Sequence, residues 1–175
     1  MENYILFFVL ALLAEVIGTI SGFGSSILFV PIASWFMDFK SVLAVTAIFH
    51  VFSNLAKILL FKHGIDKQIA LKLGIPAVIF VVLGAIMTNY IPVKEIELLM
   101  NILLVSLSVF LVWKSNKKLE QNDRNLYIGG TISGFLAGLI GTGGAIRGIT
   151  LAAFQLKKNA FIATSAIIDL AVDGG

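Results

Sequence analysis

The chain has 175 residues, of which 58% are hydrophobic and 13% charged, with no cysteine and a formal net charge of +3. Its mean hydropathy of +0.98 exceeds what a water-soluble core of this length can hide, which excludes a soluble domain and points to an integral membrane protein. The missing cysteines exclude disulfides, thiolate metal sites and cysteine nucleophiles, and lysines gathered in short connections are a membrane-surface bias, not a nucleic-acid footprint.

Met1-Glu2-Asn3 lacks the basic start of a signal peptide, so the first apolar run reads as retained structure. That run predicts a helix over Tyr4 to Ile20 and a second over Ser25 to Met37, separated by Gly18-Thr-Ile-Ser-Gly-Phe-Gly-Ser-Ser26. Three glycines within seven residues break a helix and free backbone amides. At membrane depth such a break is tolerated only where protein or a water-filled cavity satisfies it, so the stretch marks a site. A third helix, Ser41 to Phe61, carries His50, Ser53, Asn54 and Lys57 on one face, with Lys57 near enough to its end to snorkel. Helices over Ala70 to Tyr90 and Ile96 to Trp113 follow, the latter ending on an interfacial tryptophan and Lys114.

After the hydrophilic segment Ser115 to Asn125 the pattern restarts. A helix from Leu126 runs to the cluster Gly141-Thr-Gly-Gly144, a short helix runs to Leu156, and another begins at Asn159 after Lys157-Lys158. The fold class is therefore all-α: a polytopic transmembrane helix bundle built from two repeats, each opening with a glycine-broken helix pair. Residues 1–114 form the first repeat, 115–125 the connector and 126–175 an incomplete second repeat, so the chain reads as a shortened form of a longer transporter-like protein. Aligning Gly24 with Gly144 gives the preferred register, although Gly-Thr-Ile-Ser-Gly-Phe at 18–23 and 130–135 sets a rival one.

If each broken pair returns to its starting side, Lys62, Lys67, Lys72, Lys114, Lys117, Lys118, Arg124, Lys157 and Lys158 share one face, and only Lys40 and Lys94 lie opposite. That bias favours an outside N-terminus, a re-entrant first pair and inverted repeats, with parallel four-helix repeats as the alternative.

Ser21-Gly-Phe-Gly-Ser-Ser-Ile-Leu-Phe-Val-Pro31 and Gly134-Phe-Leu-Ala-Gly-Leu-Ile-Gly-Thr-Gly-Gly144, each followed by a threonine-bearing helix, resemble the sulfite exporter TauE/SafE family. His63-Gly-Ile-Asp66 adds to the likeness, which covers essentially the whole chain. The resemblance implies a multi-pass transporter of the bacterial plasma membrane for small anions such as sulfite or organosulfonates. Two departures bear on the substrate: Ser25-Ser26 stand where the family often has glycines, and Arg147 occupies a usually apolar helix.

A dehydrated anion needs donors, and free amides at a half-helix N-terminus supply them with the positive end of the dipole. Gly22, Gly24, Ser25, Ser26, Thr142, Gly143, Gly144 and Arg147 are thus the expected substrate contacts. Against this stands close helix packing through small residues. An arginine in an apolar segment costs about 2.5–3.5 kcal/mol unless paired, hydrated or snorkelling to the headgroups. His50, Asn54, Asp169 and Glu15 are the candidates for proton or ion coupling; Asp169 and Asp173, one turn apart, either carry protons or neutralise Arg147, Glu15 is either protonated or paired with Lys57, and Asp173, near the chain end, is set aside as solvent-exposed. Expected partners are a small anion and membrane lipid, with a homo-oligomer open, and neither cofactor nor metal spacing is present. The competing reading is an intramembrane serine hydrolase, in which Ser21, Ser25 or Ser26 stands within about 3.2 Å of a His50 nitrogen. A scaffold bundle follows only if both glycine clusters are continuous helix.

Overall fold

The computed structural model describes residues 2–113 and 119–174, so Lys114, Lys117, Lys118 and the first part of the expected connector lie outside the described residues. Eight α-helices follow in chain order: α1 (Glu2–Ser21), α2 (Ser26–Ala33), α3 (Phe39–Phe61), α4 (Lys67–Met87), α5 (Val93–Trp113), α6 (Asp123–Ile140), α7 (Gly144–Ala153) and α8 (Lys158–Asp173). A 3-10 turn at Lys62–Gly64 joins α3 to α4. Both glycine clusters are true interruptions, which removes the condition for the scaffold reading. Gly22 stands at φ +78° directly after α1 and Gly141 at φ +74° directly after α6, backbone that L side chains avoid, and there the two long helices stop.

At the first break the chain reverses. The Phe7 ring of α1 lies 5.2 Å from Phe36 and 5.9 Å from Phe29, so α2 and the turn after it run back along α1. The second helix was expected to reach Met37, but it ends at Ala33. Its last turn tightens, with Trp35 N–H donating to Ile32 O and Phe36 N–H to Ala33 O, while Ser34 Oγ donates to Val30 O at 2.9 Å. The starts of α3, α4 and α6 are set by side-chain caps. Asp38 accepts from Ser41 N–H and Oγ, Asp66 from the N–H groups of Gln68 and Ile69, and Asn122 from Asn125 N–H. The Ser41 bonds hold the exposed Asp38 carboxyl below the usual carboxylate range.

Helices α4 and α6 lie side by side through small residues. Gly130 faces Leu73 and Pro76, Gly134 faces Ala77, and Gly138 faces Val81. A Cβ at Gly134 would sit 2.6 Å from Ala77 Cα, so backbone meets backbone along a four-residue repeat. Since contact positions rise together on both helices, α4 and α6 run parallel. Lys72 Nζ pairs with Asp123 Oδ2 at 2.6 Å, placing the start of α6 beside the start of α4.

Helix α8 runs antiparallel to α3. Gly64 abuts Ala160 near the start of α8, and Asp66 N–H donates to the buried Thr164 Oγ1 at 2.9 Å; further along, Asp173 reaches His50 and Asn54 at mid-α3. Lys62, Lys67, Lys72, Arg124, Lys157 and Lys158 consequently gather at one end of the bundle. At the other end Phe39 and Val42 of α3 share a cluster with Ile96 of α5, which brings Lys40 and Lys94 to that end.

Large apolar side chains such as Leu12, Phe52, Leu60, Ile75 and Ile102 are exposed, as a lipid-facing surface requires. Trp35, Tyr90 and Trp113 lie at helix ends with 79%, 82% and 83% of their surface exposed, the positions of an interfacial aromatic belt. Among the described residues two helical stretches, Phe39–Gly64 and Lys67–Met87, are long and apolar enough to cross a membrane.

Candidate functional site

The two breaks meet. Gly24 packs against Gly144, where a Cβ on Gly24 would stand 3.0 Å from Gly144 Cα, and Ser26 Oγ donates to Thr142 Oγ1 at 3.5 Å. The α1–α2 hairpin enters from the end that holds Lys40, and the α6–α7 hairpin from the end that holds Arg124, so their tips touch in the interior. Helices α2 and α7 therefore begin at adjoining points, and neither Ser25 nor Gly143 caps its helix with a side-chain hydrogen bond. First-turn N–H groups and two positive dipole ends converge on one region.

Into that region projects Arg147, four residues after the Gly143 cap position. It is 4% exposed, so it does not reach the headgroups. Its Nη2 forms an ion pair with Asp169 Oδ1 from α8, whose other oxygen accepts from Ser165 Oγ at 3.2 Å. The guanidinium Nε and Nη1 are buried and meet no hydrogen-bond partner among the described residues. Burying an arginine with part of its donor set unused is costly, which singles this side chain out.

On the facing side α3 supplies a second set. Ser25 Oγ lies 3.0 Å from His50 Nε2, and His50 Nδ1 lies 3.6 Å from Asp173 Oδ2. A proton on Nδ1 turned toward the carboxylate leaves Nε2 to accept from the Ser25 hydroxyl. Asn54 Nδ2 donates to Asp173 Oδ2 at 3.4 Å, and Lys57 Nζ donates to Asn54 Oδ1 at 3.4 Å. Lys57 also pairs with Glu15 Oε1 at 2.5 Å, an oxygen that accepts from Ser53 and Thr19 as well. The expected snorkelling of Lys57 gives way to this pair, because Glu15 on α1 lies within reach and satisfies the ammonium inside the protein.

A small cavity of about 20 Å³ joins the two sets, bounded by Gly24, Ser25, Ser26 and His50 on one side and Gly143, Arg147 and Asp169 on the other. It has room for about one water molecule. Of the expected substrate contacts, Thr142 lies behind Ser26, Gly144 packs on Phe23 and Gly24, and Gly22 faces Phe161; these three stand beside the cavity, not in its wall. Of the expected coupling residues, His50, Asn54 and Asp169 line it, and Glu15 reaches it through Lys57. Asp173 is the residue passed over. Its position near the end of the sequence suggested solvent, whereas antiparallel packing of α8 on α3 carries it to mid-α3; the four-residue spacing from Asp169 was the available signal. A larger cavity, about 460 Å³ between α5, α6 and α7, is lined by Leu103, Leu107, Phe110, Ile132 and Ile146 and offers little to an anion.

The profile of the sulfite exporter TauE/SafE family matches residues 7–174. The chain belongs to this family. A probable membrane transporter protein of Methanocaldococcus jannaschii is 28% identical over 188 residues, covering 97% of this chain and 70% of that protein. No solved structure matches. As a TauE/SafE member the chain is a membrane transporter and not an enzyme. The distance condition for a serine nucleophile is met at Ser25, but in a transporter the same contacts place His50 between the break and the half-buried Asp173 carboxylate, hydrogen-bonded to Ser25 and 3.6 Å from Asp173.

Proposed function

We propose that this chain is a secondary transporter moving a small oxyanion, sulfite or an organosulfonate, through a multi-pass bundle in the cell membrane. One observation carries the reading: two uncapped half-helix N-termini and a buried arginine with free donors converge at mid-bundle. Amide donors, positive dipole ends and a guanidinium together replace the water that an oxyanion gives up. In this reading the Ser25 and Ser26 hydroxyls add donors, and the coupling proton is carried by one of the titratable groups that line the same cavity. A cavity of about 20 Å³ corresponds to a closed state, and the anion enters when one hairpin tip separates from the other. The opposite entry of the two hairpins fits an inverted pair of repeats, each rocking against its partner.

The test is uptake and efflux of radiolabelled sulfite and short sulfonates in vesicles containing the chain. Flux that saturates, and that falls at least tenfold in Arg147→Gln, is the expected result; flux indifferent to Arg147 sinks the reading. The Ser25–His50 distance gives the hydrolase alternative one supporting observation. A serine-reactive fluorophosphonate that labelled wild type but not Ser25→Ala would favour it, and we expect no label, since the chain belongs to a transporter family.

A further inference from the structure

We infer that Asp169 is a resident counter-ion occupying the anion seat on Arg147, so that substrate binding displaces this carboxylate and loads it with a proton. This rests on the anion-transport reading and specifies its coupling. Arg147 is buried, holds Asp169 through Nη2 only, and leaves Nε and Nη1 without partners. A guanidinium binds a planar or tetrahedral oxyanion best through two parallel N–H donors, and its two donor edges, Nε with Nη2 and Nη1 with Nη2, both use the nitrogen that Asp169 holds, so an anion seated on either edge competes with this carboxylate. The partner carboxylate is thus placed as a removable ligand: it comes from α8, a different element from the α7 arginine, and it is kept in reach by Ser165 one turn away.

Charge counting gives the proton. Facing the cavity or linked to it are Glu15 from α1, His50 and Lys57 from α3, Arg147 from α7, and Asp169 and Asp173 from α8; among the described lining residues α2 and α6 contribute only neutral groups. Glu15 with Lys57, and Arg147 with Asp169, form two neutral pairs, leaving Asp173 beside a neutral His50. Adding an anion to this set without a proton would put three negative groups, the anion, Asp169 and Asp173, around one arginine in a water-poor interior. Two like charges a few ångströms apart there repel by several kcal/mol. When the anion takes Arg147, Asp169 loses the one charged partner it has among the described residues and becomes the group that must neutralise. The balance is one proton taken up by the Asp169 carboxyl per monoanion bound, with both released together on the far side.

Methanesulfonate is a suitable probe because its own charge does not change between pH 6 and 8. Its binding to the purified chain in detergent, measured by calorimetry in buffers of different ionisation enthalpy, reports affinity and proton uptake together. Wild type should take up close to one proton per anion and bind about a hundredfold more weakly at pH 8 than at pH 6, about tenfold per pH unit. Asp169→Asn keeps an acceptor for Ser165 and removes the competing charge, so it should bind at pH 8 about tenfold more tightly than wild type, with the proton uptake and pH slope gone. Proton uptake that persists in Asp169→Asn places the proton on another group and overturns the inference, as does wild-type binding with no uptake, which needs no variant to fold. Anion binding by neither protein overturns the transport reading and this inference together, whereas equal affinities and slopes overturn the inference alone.

Discussion

Glu15 and Lys57 form a close interior charge pair, with Ser53 and Thr19 also donating to the same carboxylate oxygen. Both side chains are largely withdrawn from solvent, at 12% and 16% exposure, so removing either leaves a charge that neither water nor lipid can satisfy. Glu15→Gln should therefore lower stability by about 3 kcal/mol, since breaking a buried pair costs far more than the pair contributes. Adding Lys57→Met should return most of that loss, because the stranded charge is then gone. Thermal unfolding of both variants in detergent checks this, and a double variant no better than Glu15→Gln would show that the pair does not act as a unit.

At the scale of elements, association of α4 with α6 rests on glycines that let backbones touch, in a setting where burial of apolar surface supplies little drive between helices. A methyl group at Gly134 would overlap the backbone at Ala77 and force the helices apart. Gly134→Ala should cost about 2 kcal/mol, an overpacking penalty. Gly74 on the same α4 is a matched control. There the added Cβ would meet Ile168 Cγ1 at 3.5 Å, an ordinary contact. Gly74→Ala should hold its stability or gain up to about 1 kcal/mol from better helix propensity. Unfolding midpoints measured side by side decide whether close approach, and not glycine content, holds this pair.

For the whole molecule the decisive arrangement is two hairpins entering from opposite ends. It places Lys40 and Lys94 at one end, and Lys62, Lys67 and Lys157 at the other. The absence of native cysteine makes the chain a clean background for single-cysteine labelling. In oriented vesicles, cysteines at positions 40 and 94 should react with a membrane-impermeant maleimide from one side, and those at 62, 67 and 157 from the other. Labelling of positions 40 and 62 from the same side would break the assignment, because α3 between them would then not cross.

Composition and periodicity alone determined that this is a helical membrane protein with two glycine breaks, because hydropathy and helix-breaking are local properties of a segment. The face of α3 that carries His50, Asn54 and Lys57 was legible for the same reason: a helix repeats every 3.6 residues whatever surrounds it. Arg147 stood out through the cost of a charge in an apolar run. Partners were legible only as alternatives, Arg147 to Asp169, Asp173 or a headgroup and Lys57 to Glu15 or a headgroup. Only the tertiary structure decided that Arg147 meets Asp169 and not a headgroup, that Lys57 turns inward to Glu15, and that Asp173 reaches His50. Each of these joins residues on different helices, and which helices touch depends on packing at Gly134, Gly24 and Gly144, a property of pairs of backbones that no single stretch of sequence contains.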